Sequence, residues 1–423
     1  MAKPRRPDST LPDYRAGNFV SEWFGHRVFP VVSADPASLR DQQGSRCPFL
    51  TEAVGRDTKC VKAVNSQGVC TISSVSNGPR QDWLVCPLRA LDQPMVDNVA
   101  RRLFRVADDV GVSSVAGPTL ADADRRERFT RSVQEGNVGI IFLQSKLGGE
   151  ISISATDRSP ELSFDTTLVQ VLWDGQRFTF GRYGVLELQT MDYHGTYKHA
   201  VGNLRNALSL HGDALPRQLQ ENQRWLSQGI ESPNIANVFK RTFYQVMLKF
   251  QIGGDESCAG CVLALPASVW DSWQPHLGAP ELQERSDGTF FLGIPDEGDP
   301  GDDVPAWIYV FDLDQGAGLT PNPIVIQRII ATNADAMSHF ALKLAPEMAV
   351  AGAGERDRVT SSIRRRLAPW WPDLGGAPVQ LERELITSSR SARRRRTTDN
   401  TAAARFVSCR RMYDASCIDV LQS

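Results

Sequence analysis

The chain contains no apolar run long enough to cross a membrane as a helix. Such a helix needs about 18 or more consecutive apolar residues, and none occurs in the 423-residue sequence. Residues 1–20 are basic and lack the apolar core of a secretory signal peptide. These two absences exclude a helical membrane protein and predict a cytoplasmic location.

The protein also has little net charge, which is −2 at pH 7. The overall charge therefore gives no general attraction to nucleic acid, and a DNA-binding surface would need its basic groups gathered on one face. The charge is unevenly distributed along the chain. An acidic loop contains Asp296, Glu297, Asp299, Asp302 and Asp303, and the basic C-terminal part contains Arg364–Arg366 and Arg393–Arg396. Taken alone, the Arg393–Arg396 run fits a solvated, disordered tail equally well.

The length is enough for two or three domains with a full core, and no internal repeat occurs. Changes in composition predict four parts. They are a disordered N-terminus (1–18), a cysteine-bearing region (19–100), a core (101–350) and a basic, partly disordered segment (351–423).

Hydrophobic periodicity predicts an α/β fold in which helices flank a mixed sheet. One hairpin is expected around the turn at Asp174 and Gly175. The predicted strands cover 138–144, 168–173, 177–180, 184–190 and 306–313, and the predicted helices cover 199–210, 237–250 and most of 96–137.

Four cysteines lie close together in the N-terminal part, at Cys47, Cys60, Cys70 and Cys86, with 12, 9 and 15 residues between them. They lack the paired two-residue gaps of ordinary zinc fingers, and buried thiols or disulfides are alternatives. A cytoplasmic location argues against disulfides. The polar sequence between the cysteines favours a structural metal held by four thiolates, either zinc or iron. Cys258 and Cys261 form a single CxxC and are expected to be buried thiols.

Three acidic residues lie at or beside strand-like runs, at Glu150, Asp165 and Glu187. Gln189 follows Glu187 by two positions, so both point to the same face of a strand. A lone carboxylate there would usually be solvated. Carboxylates that converge from neighbouring strands can instead bind Mg²⁺, which prefers oxygen ligands and can support phosphodiester hydrolysis. The pattern predicts a metal-dependent nuclease.

Nine blocks of the sequence resemble type II restriction endonucleases of the NotI family, in order from about residue 18 to 315. The blocks are NFVSEWFGHRVFP, GSRCPFLTEA, DWLVCPLRALD, AGPTLAD, KLGGEISIS, SPELSFDTTL, RYGVLELQTMDYHGTYKHAVG, NVFKRTFYQ and SVWDSW. The arginine run near residue 393 is also similar to the tail of that family.

The resemblance implies a PD-(D/E)xK nuclease core within 101–350. It implies a prokaryotic, Mg²⁺-dependent homodimer that cuts double-stranded DNA at a GC-rich palindrome, GCGGCCGC or a related site. By position, Asp165 matches the motif aspartate, Glu187 its partner acid and Glu150 the upstream acid. Asp165 and Glu187 are then the expected magnesium ligands, and water attack leaves a 5′ phosphate. The four-cysteine site is expected to hold iron, at Cys47, Cys60, Cys70 and Cys86.

Two positions depart from the superfamily pattern. Phe164 replaces the proline before Asp165, and Gln189 stands where the motif lysine is usual. A second metal or another cation, with Lys146 and Lys198 as candidates, could supply the missing charge. The helix that carries Lys240, Arg241, Tyr244 and Lys249 is assigned to DNA contact or dimer packing.

Three other functions fit parts of the sequence. A non-cleaving DNA-binding protein would not need the carboxylates. A nuclease of the same fold could act in repair or in defence against mobile elements. A glycoside hydrolase would use two carboxylates without a metal and would need an aromatic-lined sugar cleft, but the nine tryptophans are scattered.

Overall fold

The structure is a computed structural model of the chain. It describes residues 17–76, 78–294, 298–299, 301, 303–314, 316–318, 320–351 and 355–372. Predictions for residues 1–16, for Asp296, Glu297 and Asp302, and for the segment from 373 onward, including Arg393–Arg396, lie outside the described residues. The chain divides into two compact units, with the boundary between residues 352 and 353.

The N-terminal part of the first unit forms a small antiparallel sheet in the order β2-β1-β3-β4. Its elements are β1 (Phe19–Trp23), β2 (His26–Arg27), α1 (Pro36–Gln43), α2 (Pro48–Val54), β3 (Val69–Ser74) and β4 (Gln81–Leu84). Asp35 caps α1 by accepting a hydrogen bond of 2.7 Å from the backbone N–H of Ala37. Val20, Ile72 and Trp83 on the sheet are completely buried.

The rest of the first unit is built around a mixed sheet of nine described strands, in the order β14-β15-β17-β16-β13-β10-β9-β6-β5. The elements are α3 (Gln93–Leu103), β5 (Val112–Ala116), α4 (Ala123–Gln134), β6 (Val138–Gln144), β7 (Ile151–Ile153), β8 (Leu162–Phe164), β9 (Thr166–Trp173), β10 (Phe178–Leu188), β11 (Tyr193–Gly195), α5 (Lys198–His211), α6 (Leu215–Glu221), β12 (Ile230–Pro233), α7 (Ile235–Ile252), β13 (Cys258–Pro266), α8 (Ala267–Leu277), β14 (Gln283–Glu284), β15 (Phe290–Phe291), β16 (Ala306–Leu313), β17 (Ile324–Thr332), α9 (Ala334–His339), a π-helical segment (Phe340–Leu344) and α10 (Ala345–Ala351).

The central strand β10 pairs antiparallel with β9 and parallel with β13. Successive side chains of a strand point to opposite faces of its sheet, and β10 shows this alternation. Leu186 packs into one buried cluster together with Val99 of α3. Val185 packs into the other buried cluster together with Val246 of α7. Helices therefore cover both faces of the sheet, as the sequence predicts.

The second unit contributes one described helix, α11 (Glu355–Leu367). Its last turn carries Arg364, Arg365 and Arg366, where basic side chains interact favourably with the helix dipole. Among all the helices that the structure describes, none is both long enough and apolar enough to cross a membrane.

The predicted α/β architecture is confirmed, and two local predictions are wrong. The region 96–137 contains the strand β5 between α3 and α4. The predicted strands 177–180 and 184–190 are one continuous strand, β10, whose pairing register with β9 shifts between Phe180 and Tyr183. A Cβ at Gly181 would lie 2.5 Å from Gln170 Oε1, so a larger residue there would displace the end of the Gln170 side chain. The division of 19–350 into two regions stays a prediction.

Candidate active site

The hairpin of β9 and β10 brings Asp165 and Glu187 together. Thr166 of β9 pairs with Leu186 of β10 in antiparallel register. Extending that register by one residue places Asp165, at the bend before β9, opposite Glu187. The sheet thus sets two carboxylates side by side at the end of its central strands.

Reciprocal hydrogen bonds hold the two acids. The backbone N–H of Asp165 donates to Glu187 Oε1 over 3.1 Å. The backbone N–H of Leu188 donates to Asp165 Oδ2, also over 3.1 Å. Asp165 Oδ1 accepts no hydrogen bond from any described residue, so it keeps lone pairs for a ligand. Each carboxylate is therefore oriented by the backbone beside the other.

The helix α7 adds a cation to the two acids. The ammonium of Lys249 donates a hydrogen bond to Glu187 Oε2 and forms an ion pair with it. Both side chains are almost completely buried, with side-chain exposures of 5% and 7%. Burial and the neighbouring Asp165 carboxylate raise the pKa of Glu187 to about 7, and the Lys249 ammonium opposes this shift.

Gln189 lies one residue beyond the end of β10 and is also bound to α7. Its backbone N–H donates to Ala264 O over 2.9 Å, which continues the pairing with β13. Its side-chain oxygen accepts a hydrogen bond from the hydroxyl of Thr242, and its side-chain nitrogen donates to Thr190 O. Thr242 and Lys249 are two helical turns apart, so one face of α7 contacts both Gln189 and Glu187.

Glu150 lies at the end of a short hairpin formed by β7 and β8. Ile151 pairs with Phe164 in this hairpin, so the next register position places the backbone of Glu150 opposite Asp165. The side chain of Glu150 is exposed. It makes no hydrogen bond or ion pair with a residue that the structure describes, and its role stays a prediction. Phe164, in the place of the motif proline, is buried in the core.

The cation beside the acids is Lys249, on the helix predicted to contact DNA or pack in a dimer. Lys146 and Lys198 are exposed, and neither forms an ion pair with a described residue. A signal for Lys249 was present in the sequence. Thr242, Val246 and Lys249 follow helical spacing along the buried stripe of α7, and a lysine on such a stripe needs a buried partner.

The four N-terminal cysteines converge in space. Cys47, Cys70 and Cys86 are buried in one cluster, and the partly buried Cys60 packs against it. Burial raises the pKa of Cys47 to about 12, and the charges of Cys86 and Cys60 add to this effect. None of the four is in a disulfide. The thiols predicted to act together are therefore neighbours.

Neighbouring groups shift the pKa values of Cys70 and Cys86 in opposite directions. The Cys70 thiol donates a hydrogen bond of 3.3 Å to Gly68 O. The neighbouring Cys70 thiol lowers the pKa of Cys86 to about 6, whereas Cys86 and burial raise the pKa of Cys70. The ammonium of Lys62 lowers the pKa of both thiols. It is held by Val69 O at 2.8 Å and Val85 O at 3.0 Å. Without a metal, negative charge is therefore favoured at Cys86 and opposed at Cys47 and Cys70.

Within the described ranges, no group of three or more His, Cys, Asp or Glu side chains has an arrangement ready to hold a metal ion. The cysteines pack in or against one buried cluster. The carboxylate pair supplies two acidic ligands, and proteins commonly bind Mg²⁺ through one or two carboxylates together with waters and substrate phosphates. Cys258 and Cys261 are buried free thiols on β13, as predicted.

No family model matches this chain, and no curated protein matches it.

Proposed function

We propose that this protein is a type II restriction endonuclease of the PD-(D/E)xK superfamily, similar to the NotI family. It would cut double-stranded DNA at a GC-rich palindrome, GCGGCCGC or a related site, in the prokaryotic cytoplasm. The observation that carries the proposal is the opposed pair of Asp165 and Glu187 at the end of the central strands. The resemblance of the sequence blocks supplies the substrate and the site.

Asp165 and Glu187 would hold Mg²⁺. The residues fit this ion because both side chains present carboxylate oxygens and Asp165 Oδ1 has no described partner. When bound, the ion supplies charge neutralisation at the phosphate and lowers the pKa of a water molecule.

The remaining residues orient the reactants. Gln189, held by Thr242, would position the attacking water through its amide group. Glu150, opposite Asp165 in the backbone register, would help to hold a second metal ion from the β7–β8 hairpin. The water oxygen forms a bond to phosphorus, and the bond between phosphorus and the 3′ oxygen, in line with it, breaks. The attacking water loses one proton to solvent and the departing 3′ oxygen takes one from solvent, so the products are a 3′ hydroxyl and a 5′ phosphate.

The four thiols would hold iron or zinc in a structural role. Four thiolates close a tetrahedral site and leave no position for a water molecule, so this centre would not take part in hydrolysis. It would join α2, β3 and the segments around Cys60 and Cys86. Lys62 would offset part of the thiolate charge.

A palindromic target requires a two-fold symmetric enzyme. In a homodimer, each protomer reads one half-site and cuts one strand. This part of the proposal rests on the resemblance of the sequence blocks.

The proposal is tested by digesting a plasmid library rich in GC palindromes, with Mg²⁺ and with EDTA, and sequencing the cut ends. We expect Mg²⁺-dependent cuts at one palindrome with a constant stagger and 5′ phosphates. Specific DNA binding without cutting would support a non-cleaving DNA-binding protein. Cuts without a common sequence would support a nuclease of repair or of mobile-element defence.

Replacing Thr242 by valine tests whether α7 orients Gln189. The substitution keeps the shape of the buried side chain and removes the hydroxyl that donates to Gln189. Since one hydrogen bond contributes about 1 kcal/mol, we expect cleavage to slow about three- to tenfold, measured in single-turnover assays. Thr242→Ser keeps the hydroxyl and should recover most of this rate. Equal rates for the two variants would contradict the role given to Gln189.

A further inference from the structure

The strand position that usually carries the motif lysine is neutral in this protein. Gln189 occupies it, and its amide group is engaged with Thr242 and with Thr190 O. Hydrolysis of a phosphodiester concentrates negative charge on the phosphate oxygens. Fixed donors aimed at such charge are among the largest contributors to catalysis. The proposed reaction therefore needs a cation from elsewhere in the fold.

Lys249 is the cation that the fold brings to this place. It lies on the face of α7 that also carries Thr242, and its ammonium contacts the carboxylate of Glu187. Any ligand of Glu187 would consequently lie beside the ammonium. The contact joins residues 62 positions apart in the chain. The packing of α7 against the sheet, and not the spacing of the strand motif, therefore places the ammonium at this site.

The ammonium of Lys249 has hydrogen-bonding capacity to spare. A protonated lysine has three N–H donors, and Glu187 is the one hydrogen-bond partner of Lys249 Nζ among the described residues. The residue is only 4% exposed. A buried charged group with unused donors is unfavourable unless a ligand or water completes its shell. A phosphate oxygen is an acceptor of the appropriate charge.

We propose that Lys249 is a catalytic residue that donates a hydrogen bond to a non-bridging oxygen of the scissile phosphate. It performs from α7 the task of the lysine that is absent at position 189. The ion pair with Glu187 holds the ammonium in place before DNA binds. This inference rests on the proposed nuclease function.

The test compares Lys249→Met and Lys249→Gln with the wild-type protein. Lys343→Met serves as the control, because it removes one positive charge from an exposed position on the segment Phe340–Leu344. Three quantities are measured for each protein: the single-turnover cleavage rate, DNA affinity with Ca²⁺ in place of Mg²⁺, and Mn²⁺ affinity without DNA. Thermal unfolding shows whether each variant is folded.

We expect both Lys249 variants to cleave about 10²- to 10³-fold more slowly, with DNA affinity within about threefold of wild type, since only one contact of a large interface changes. Mn²⁺ affinity should rise about three- to tenfold, because a positive charge next to the carboxylates is removed. A lower cleavage rate together with a higher Mn²⁺ affinity distinguishes a charge that acts at the phosphate from a side chain that only packs. The glutamine variant keeps a polar group toward Glu187, so it can carry the test if the methionine variant unfolds.

Cleavage by both variants within about threefold of wild type would overturn the role of Lys249 and leave the nuclease proposal intact. Unchanged Mn²⁺ affinity combined with a slower rate would also overturn it, since the ammonium would then act only through packing. If the wild-type protein cuts no DNA with any divalent ion, the nuclease proposal fails, and the role of Lys249 fails with it.

Discussion

Replacing Asp165 by alanine or by asparagine is expected to slow DNA cleavage by at least about 10³-fold, because a metal-binding acid supplies several kcal/mol of charge stabilisation. Asparagine keeps an oxygen that can accept from the backbone N–H of Leu188, as Asp165 Oδ2 does. It lacks the negative charge. Equal losses in both variants would assign the effect to charge and not to local folding.

The DNA affinity of the Asp165 variants should stay close to wild type, measured with Ca²⁺ in a filter or fluorescence assay. Removing a negative charge from a surface that receives phosphates does not weaken phosphate binding. Asp213→Asn is the matched control, because Asp213 is an exposed acid on a different segment and should leave cleavage unchanged. Preserved cleavage in Asp165→Ala would remove Asp165 from the proposed site.

If the four thiols hold a metal as proposed, replacing Cys60 by serine should release it and lower the free energy of unfolding by about 4 kcal/mol or more, a loss typical of removing a metal. Cys60 is only partly buried. If Cys60 were a partly exposed thiol that binds no metal, its replacement by serine would change the free energy of unfolding by less than about 1 kcal/mol. Metal content by mass spectrometry and unfolding by denaturant would separate these cases.

Cys258 provides the internal comparison for this experiment. It is buried on β13 at 4% exposure and belongs to the pair that is expected to bind no metal. If burial alone decided the result, Cys258→Ser would be the more damaging substitution. If ligation decides it, Cys60→Ser is the more damaging one. Greater damage from Cys258→Ser than from Cys60→Ser, with unchanged metal content in both variants, would contradict a four-thiolate centre.

The parts of the fold that the sequence predicted well are those with strong local periodicity. The strands β6 and β16 have the bounds expected from their apolar runs, and α7 contains the predicted helix. The strand β5 was missed because its five residues lie between two long helical patterns. The continuity of β10 was missed because Gly181 lies where its alternation shifts register.

The residues of the candidate site were also only partly predictable from the sequence. Asp165 and Glu187 could be expected to meet, because a hairpin turn at Asp174 and Gly175 implies antiparallel strands on either side. Lys249 could not be placed, because its contact with Glu187 depends on how α7 packs across the sheet. Periodicity shows that a helix has a buried face, but it does not show which strand that face covers.

The wide separation in the sequence between the two carboxylates and Lys249 also affects the order in which the site is completed during synthesis. Translation proceeds from the N-terminus, and early segments begin to fold while later ones are still being added. A growing chain that ends before residue 249 already contains Asp165 and Glu187 but lacks the ammonium that pairs with Glu187. If Lys249 acts as proposed, such an unfinished polypeptide would cut the DNA of the cell that makes it far more slowly than the complete protein.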